Sequence, residues 1–87
     1  MSELTEFLLA RIAEDEKTAD LDEDIGHISR QGYVRALAEC EAKRTLVLEL
    51  DRMERDEMGW DGIEDKVMCY LAMPHADHPD YREDWHV

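Results

Sequence analysis

The residues best suited to chemistry lie near the C-terminus, in the stretch PHADHPDY at 74–81. His75, Asp77 and His78 fall within four residues of one another. Imidazole and carboxylate groups are ordinary ligands of zinc and other divalent metals. His27, in a predicted loop, is a further candidate ligand. The sequence offers no second ligand cluster at a fixed spacing, such as CxxC, so the metal motif is incomplete.

A tight turn explains the same residues without a metal. Carboxylates such as those of Asp77 and Asp80 hydrogen-bond nearby backbone groups in turns, and Pro79 fixes the direction of the chain. We favour this interpretation and expect neither a metal nor another cofactor. A metal-binding protein that uses the HADH tail stays open as an alternative function.

Other kinds of catalytic site have little support. Neither Ser29 nor Cys40 has a histidine partner that the sequence can place, and there is no glycine-rich phosphate loop. Carboxylates are so numerous that no pair of them is distinguished as an acid–base couple. We therefore expect a protein that is not an enzyme. Cys40 and Cys69 lie among apolar residues at helical spacing, which predicts reduced thiols in the core.

The charge of the chain excludes several classes of partner. The net charge is −13, with −7 in residues 1–24, −1 in residues 25–57 and −5 in residues 58–87. Such a field repels phosphate, so we expect no direct binding to nucleic acid and none to anionic membranes. The sequence has no apolar run long enough to span a bilayer and no signal peptide, which favours the cytoplasm. An acidic mimic of nucleic acid, bound in the basic groove of another protein, is an alternative.

The elements that position these residues are predicted to be helices. Leu4, Phe7, Leu8 and Ile12 form a helical stripe, and Ser2 is a suitable N-cap, so the first helix should span about 3–18. The acidic segment 20–24 reads as a loop. A long central helix is predicted at 31–58, ending at Gly59, and a third helix at 62–73, before Pro74. The tail at 74–87 carries aromatic residues that can pack back on the body. We predict a single all-α domain.

The central helix carries one stripe of special interest, formed by Val34, Leu37, Glu41, Arg44 and Leu48. Its two charged members interrupt an otherwise apolar seam. Three interpretations compete: a pair that extends to solvent from the edge of the core, a polar contact that sets register with a neighbouring helix or a twin subunit, and a ligand-binding or catalytic pair. We count these five residues, with Trp60 and Trp85, as candidates for an interaction surface.

Three stretches together resemble a known family: His27–Ile28, VRALAECEAKR at 34–44 and LAMPHADHPDYREDW at 71–85. The resemblance covers residues 3–19 and 27–85, and it is to small proteins of unknown function from actinobacteria and their phages. Those proteins share an acidic first helix, an "EAKR" helix and an "ADHPDY" tail. Asp77 and His78 match the tail, whereas His75 stands where the family has tyrosine. The resemblance implies an actinobacterial or phage origin and a cytoplasmic location.

These observations favour a small acidic protein that works by binding. We expect a homodimer formed through the central helix, because one long helix has more apolar face than two shorter neighbours can cover. A regulatory protein that is encoded by a phage and acts on a host protein fits the same pattern.

Overall fold

The computed structural model describes residues 1–55 and 63–86 of the chain. This part contains three α-helices, α1 (Glu3–Asp24), α2 (Arg30–Arg55) and α3 (Ile63–Ala72), followed by two short 3-10 turns at Met73–His75 and Glu83–Trp85. The described residues include no β-strand. The predicted all-α fold is confirmed.

The first helix starts where the sequence predicts and ends later. The Ser2 hydroxyl accepts a hydrogen bond from the Thr5 N–H at 3.1 Å, which caps the N-terminus. The predicted end near residue 18 and the predicted loop at 20–24 are wrong, because α1 continues to Asp24. Gly26, at φ 78°, then turns the chain, and the His27 N–H closes the helix end on the Asp22 carbonyl at 2.8 Å. This arrangement is a Schellman motif, which satisfies the carbonyl groups at the end of the helix.

The second and third helices lie close to their predicted positions. The Ser29 hydroxyl caps α2 by accepting from the Gly32 N–H at 3.1 Å, so α2 begins one residue before the predicted start. The predicted end at Met58 and the turn after it lie outside the described residues. The third helix agrees with the predicted range within one residue at each end, and the 3-10 turn that contains Pro74 follows it directly.

The first two helices form an antiparallel hairpin. The side chains of Thr5 and Asp51 meet at one end and those of Asp20 and Tyr33 at the other, so the two chain directions are opposed. The third helix packs against both. At 1.5 Å per residue α2 is about 39 Å long, and the whole molecule measures 45 × 26 × 18 Å.

The core draws on all three helices and on the tail. Trp85 is 9% exposed and packs with them, so the predicted return of the tail to the body is confirmed. The buried cluster comprises Leu4, Phe7, Leu8, Ile12, Cys40, Val47, Leu50, Met68, Cys69, Ala72 and Trp85. Among the described helices, none combines the length and the apolar character needed to cross a membrane.

The outer half of the hairpin has little core of its own. In residues 13–24 and 30–46, only Ala19 and Cys40 are buried. Most of the stability of a helix in a protein comes from the packing of its apolar face rather than from helix propensity. This half of the hairpin is therefore the part of the described structure that gains most from another partner.

Candidate interaction surface

One side of α2 has no partner within the described chain, and we call it the outer face. It comprises Val34, Ala38, Ala42, Thr45 and Leu46, all of which are exposed. Val34 is 55% exposed and Leu46 is 42% exposed. Leu48 is also 42% exposed, but it lies about 160° from Leu46 around the helix and is not part of this face. Small residues in the middle and larger apolar residues at the flanks make a shallow apolar strip.

The buried side of α2 lies on a different stripe. Cys40, Val47 and Leu50 are its buried apolar residues, and they pack against α1 and α3. Each residue advances about 100° around a helix, because one turn takes 3.6 residues. A stripe displaced by a single residue therefore faces another direction.

The predicted stripe of five residues is split by this geometry. Val34, Glu41 and Leu48 are exposed, whereas Leu37 and Arg44 are half-buried at the boundary with α1. The stripe is thus not the face of α2 that forms the core. It runs along the edge of the hairpin, where its apolar members remain open to a partner.

Arg44 joins the two helices of the hairpin. Its guanidinium donates one hydrogen bond to Glu41 at 2.9 Å and another to Glu16 of α1. The hydrogen bond with Glu16 is the main reason that the pKa of Arg44 is raised above its ordinary value. The Arg44 side chain is 29% exposed, so the contact lies at the edge of the core and fixes the pairing of α1 with α2.

The segment of α2 that carries the outer face has equal numbers of positive and negative side chains. Residues 34–49 contain three basic and three acidic side chains, so this segment carries no net charge. Arg35 pairs with Glu39 at 3.4 Å, and Arg52 pairs with Glu49 at 2.9 Å. Surface pairs of this kind contribute little to stability. Their side chains remain accessible for contacts with another molecule.

The tail histidines take part in an aromatic cluster around Phe7. The rings of His75 and His78 meet that of Phe7 edge-on, at centroid distances of 6.2 and 5.6 Å. Tyr81 and Trp85 contact the same ring at 6.1 and 5.0 Å. Such arrangements suit the quadrupoles of aromatic rings. The cluster explains why the HADH stretch lies against the body of the protein.

The geometry of the tail does not assemble a set of metal ligands. His78 Nδ1 accepts a hydrogen bond from the Asp80 N–H at 3.0 Å, so a histidine rather than an aspartate bonds the backbone of the turn. Asp77 is exposed. Within the described part of the chain, no three His, Cys, Asp or Glu residues are placed to hold a metal ion.

The remaining candidates lie apart from the tail turn. His27 follows the far end of α1, and the helical segment from Phe7 to Asp24 is about 25 Å long at 1.5 Å per residue. Trp85 belongs to the core rather than to an open surface. Trp60 lies outside the described residues.

Two buried charged residues were missed by the sequence reasoning. Arg11 is 7% exposed, its guanidinium lies 5.0 Å from the Phe7 ring centre, and it pairs with Glu14 at 3.2 Å. Its Nε and Nη1 atoms are buried without a hydrogen-bond partner. Asp51 is 2% exposed and accepts a hydrogen bond from the Thr5 hydroxyl at 2.8 Å. The four-residue spacing of Arg11 from Phe7 was the available signal, because it places Arg11 on the apolar stripe of α1.

A cavity of about 340 Å³ opens where α3 ends against the hairpin. It is lined by Leu8, Ile12, Val47, Leu71 and Pro74, with Asp15, Lys43, Tyr70 and His75 around them. No hydrogen bond joins these four polar side chains to one another within the described structure. Nearby, burial raises the pKa of the Cys40 thiol above its ordinary value, and Glu16 and Asp15 add to the effect. A raised pKa makes a thiol a poorer nucleophile, because the thiolate is the reactive form.

Comparison with known proteins gives a family but no function. A family model described as a family of unknown function (DUF6221) matches residues 1–87. No curated protein and no solved structure matches the chain.

Proposed function

The chain belongs to DUF6221, a family of unknown function, and we propose that it acts by binding another protein through the outer face of α2, with no chemistry of its own. The exposure of Val34 and Leu46 on the side of α2 that also carries Ala38 and Ala42 is the observation that carries this proposal. Exposed apolar residues grouped on one face are typical of a protein-binding surface. The absence of net charge in this segment lets a partner approach that the acidic ends of the chain would repel.

The setting of this role is part of the proposal. The resemblance to actinobacterial and phage proteins supports a regulatory protein in the bacterial cytoplasm, encoded by a bacterium or by a phage and acting on a host protein. A phage protein of this size contributes a binding surface more readily than a complete active site, since 87 residues enclose only a thin core.

Site-specific photo-cross-linking in an actinobacterial extract tests the proposal. A benzophenone amino acid in place of Leu46 reports on the outer face of α2, and the same group in place of Thr18, an exposed residue of α1, is the matched control. We expect a defined protein adduct at position 46 that is absent at position 18. Equal labelling at both positions, or no adduct at either, would contradict the proposal.

The acidic mimic is the competing function, and the exposed carboxylates of α1 favour it. Residues 1–24 carry nine acidic and two basic side chains, and Glu3, Glu6, Glu14 and Asp20 are all exposed. A mimic would bind a basic protein through α1, so its cross-links would appear at position 18. Its complex would also weaken steeply with added salt, because charge supplies the attraction.

A further inference from the structure

We infer that the outer face of α2 is covered by a second copy of this chain, with the two α2 helices antiparallel about a two-fold axis at Ala42. The inference rests on the proposed function and narrows it, since the protein that binds the outer face is then a second copy of the chain in place of a host protein. An interface with two-fold symmetry brings the same patch of the two copies together in opposite directions. Each residue before the axis must therefore fit the residue equally far after the axis in the other copy. The outer face of α2 meets this condition in shape and in charge.

The shape condition follows from residues equally distant from the axis. Ala38 lies four residues before Ala42 and Leu46 lies four residues after it, so each leucine comes opposite an alanine of the other copy. Ala42 itself meets its counterpart at the axis, and its small side chain allows the two helices to approach closely. Alternation of large and small side chains is how helices interlock across an interface.

The charge condition follows in the same way. Arg35 lies seven residues before Ala42 and Glu49 lies seven residues after it, so a cation of each copy faces an anion of the other. The Arg35 side chain is 83% exposed and that of Glu49 is 58% exposed. Both can therefore reach across while they keep their contacts within the helix. Charge pairs of this kind at the rim of an interface fix its register and exclude other partners.

The rest of the molecule is too acidic to offer an alternative face for self-association. Two copies that carry −13 each repel one another wherever their ends meet. Residues 34–49 have no net charge. The outer face of α2 points away from the acidic helix α1. An interface on the outer face therefore keeps the acidic segments of the two copies apart.

The size of the surface sets the strength that we expect. From Val34 to Glu49 the outer face is about 23 Å long at 1.5 Å per residue. One helix against another of this length lies at the low end of the range for specific interfaces. We expect a concentration-dependent dimer with a Kd on the order of 10 µM, as suits a small interface.

Sedimentation equilibrium of the purified chain with three charge variants tests the register. Arg35→Glu alone and Glu49→Arg alone place like charges opposite one another, and each should weaken the dimer at least fivefold. The combination of both changes should restore the Kd to within about twofold of the parent chain. Circular dichroism controls for helix content, because each change also alters a pair within the helix. If the double variant keeps its helix content but its Kd does not return to that of the parent chain, the proposed register is overturned.

A cysteine at the axis gives a second, independent test. In Ala42→Cys the two new thiols meet across the axis and should form a disulfide-linked dimer on mild oxidation. Thr18→Cys, exposed on α1, is the control and should form no disulfide-linked dimer. Equal cross-linking of both variants would contradict a specific contact at Ala42. Cys40 and Cys69 are buried and are present in both proteins.

The inference and the proposed function can fail separately. A purified chain that stays monomeric up to 200 µM, about twentyfold above the expected Kd, overturns the second copy as the occupant. The proposed function then stands or falls on the photo-cross-link at position 46 to a different protein. Loss of the cross-link and of the dimer together would overturn both.

Discussion

Replacement of Trp85 by alanine should release the tail and cost a large part of the stability of the protein. The side chain is 9% exposed and contacts the rings of Phe7 and Tyr81 at 5.0 and 5.7 Å. A buried tryptophan removes about 150–250 Å² from water, worth up to about 4–6 kcal/mol at 25 cal/mol per Å². The tail lies near the end of the chain and can relax into the space left by the smaller side chain. We therefore expect the free energy of unfolding to fall by about 3 kcal/mol, at the low end for such substitutions.

That loss is large beside the expected total. At 0.05–0.15 kcal/mol per residue, a chain of this length has a free energy of unfolding of about 4–13 kcal/mol. Urea denaturation followed by far-UV circular dichroism measures the change. With a slope of about 1.2 kcal/mol per M, the midpoint should fall by about 2.5 M. The experiment belongs in an Ala42→Arg background, so that self-association does not contribute to stability.

His86→Ala is the matched control, because His86 is adjacent to Trp85 in the chain and is exposed. We expect its free energy of unfolding to stay within about 0.5 kcal/mol of that of the parent chain, as for most surface substitutions. A Trp85→Ala variant that loses less than about 1 kcal/mol would refute the reasoning, since it would mean that the tail contributes no burial to the core.

Three further changes test polar side chains, two of them at buried positions and one at an exposed contact. Thr5→Val removes the hydroxyl that donates to Asp51, and we expect a loss of about 1.5–3 kcal/mol in urea denaturation because a buried carboxylate loses a donor; a neutral result would contradict the contact. Arg11→Met should leave the free energy of unfolding unchanged or raise it by up to about 1 kcal/mol, because two buried nitrogen atoms without hydrogen-bond partners are removed; a loss above about 2 kcal/mol would show that the charge is needed. Tyr33 donates to Asp20 at 2.5 Å, and this hydrogen bond raises the pKa of Tyr33 above 10.0. The contact therefore stabilises the fold below pH 10.0 and is lost as the pH rises through the raised pKa, so the deficit of Tyr33→Phe in thermal unfolding should shrink at high pH; a deficit that is independent of pH would contradict this role.

The sequence predicts the helices well where a local signal exists. Ser2 marks the start of α1, Pro74 marks the end of α3, and the stripe of Leu4, Phe7, Leu8 and Ile12 enters the core as its spacing indicates. The end of α1 was predicted too early, because seven acidic residues between positions 14 and 24 resemble a loop by composition. Gly26 was the overlooked signal, since a glycine that can adopt positive φ ends helices in this way.

The choice of buried face on α2 could not be made from spacing alone. Apolar residues are spread around most of this helix, and Leu37 and Arg44 lie at the boundary between the two possible stripes. The partners that decide between them, such as Glu16 for Arg44 and Thr5 for Asp51, are brought together only by the tertiary fold. The sequence predicts that the aromatic residues of the tail pack on the body, and they do. It does not identify their common partner, Phe7, because that residue lies at the other end of the chain.

The most direct test of the central claim is the mass of the purified chain in solution as salt is varied. The monomer mass is 10.2 kDa, so a dimer through the outer face of α2 has twice that mass, 20.4 kDa. Light scattering at 100 µM should show mostly dimer in 0.15 M salt and a smaller dimer fraction in 0.01 M salt. Repulsion between the acidic ends extends to about 30 Å at the lower salt concentration and only about 8 Å at the higher one. Ala42→Arg should give 10.2 kDa under both conditions. A mass of 10.2 kDa for the parent chain at 0.15 M salt, or a dimer that survives Ala42→Arg, would contradict the account.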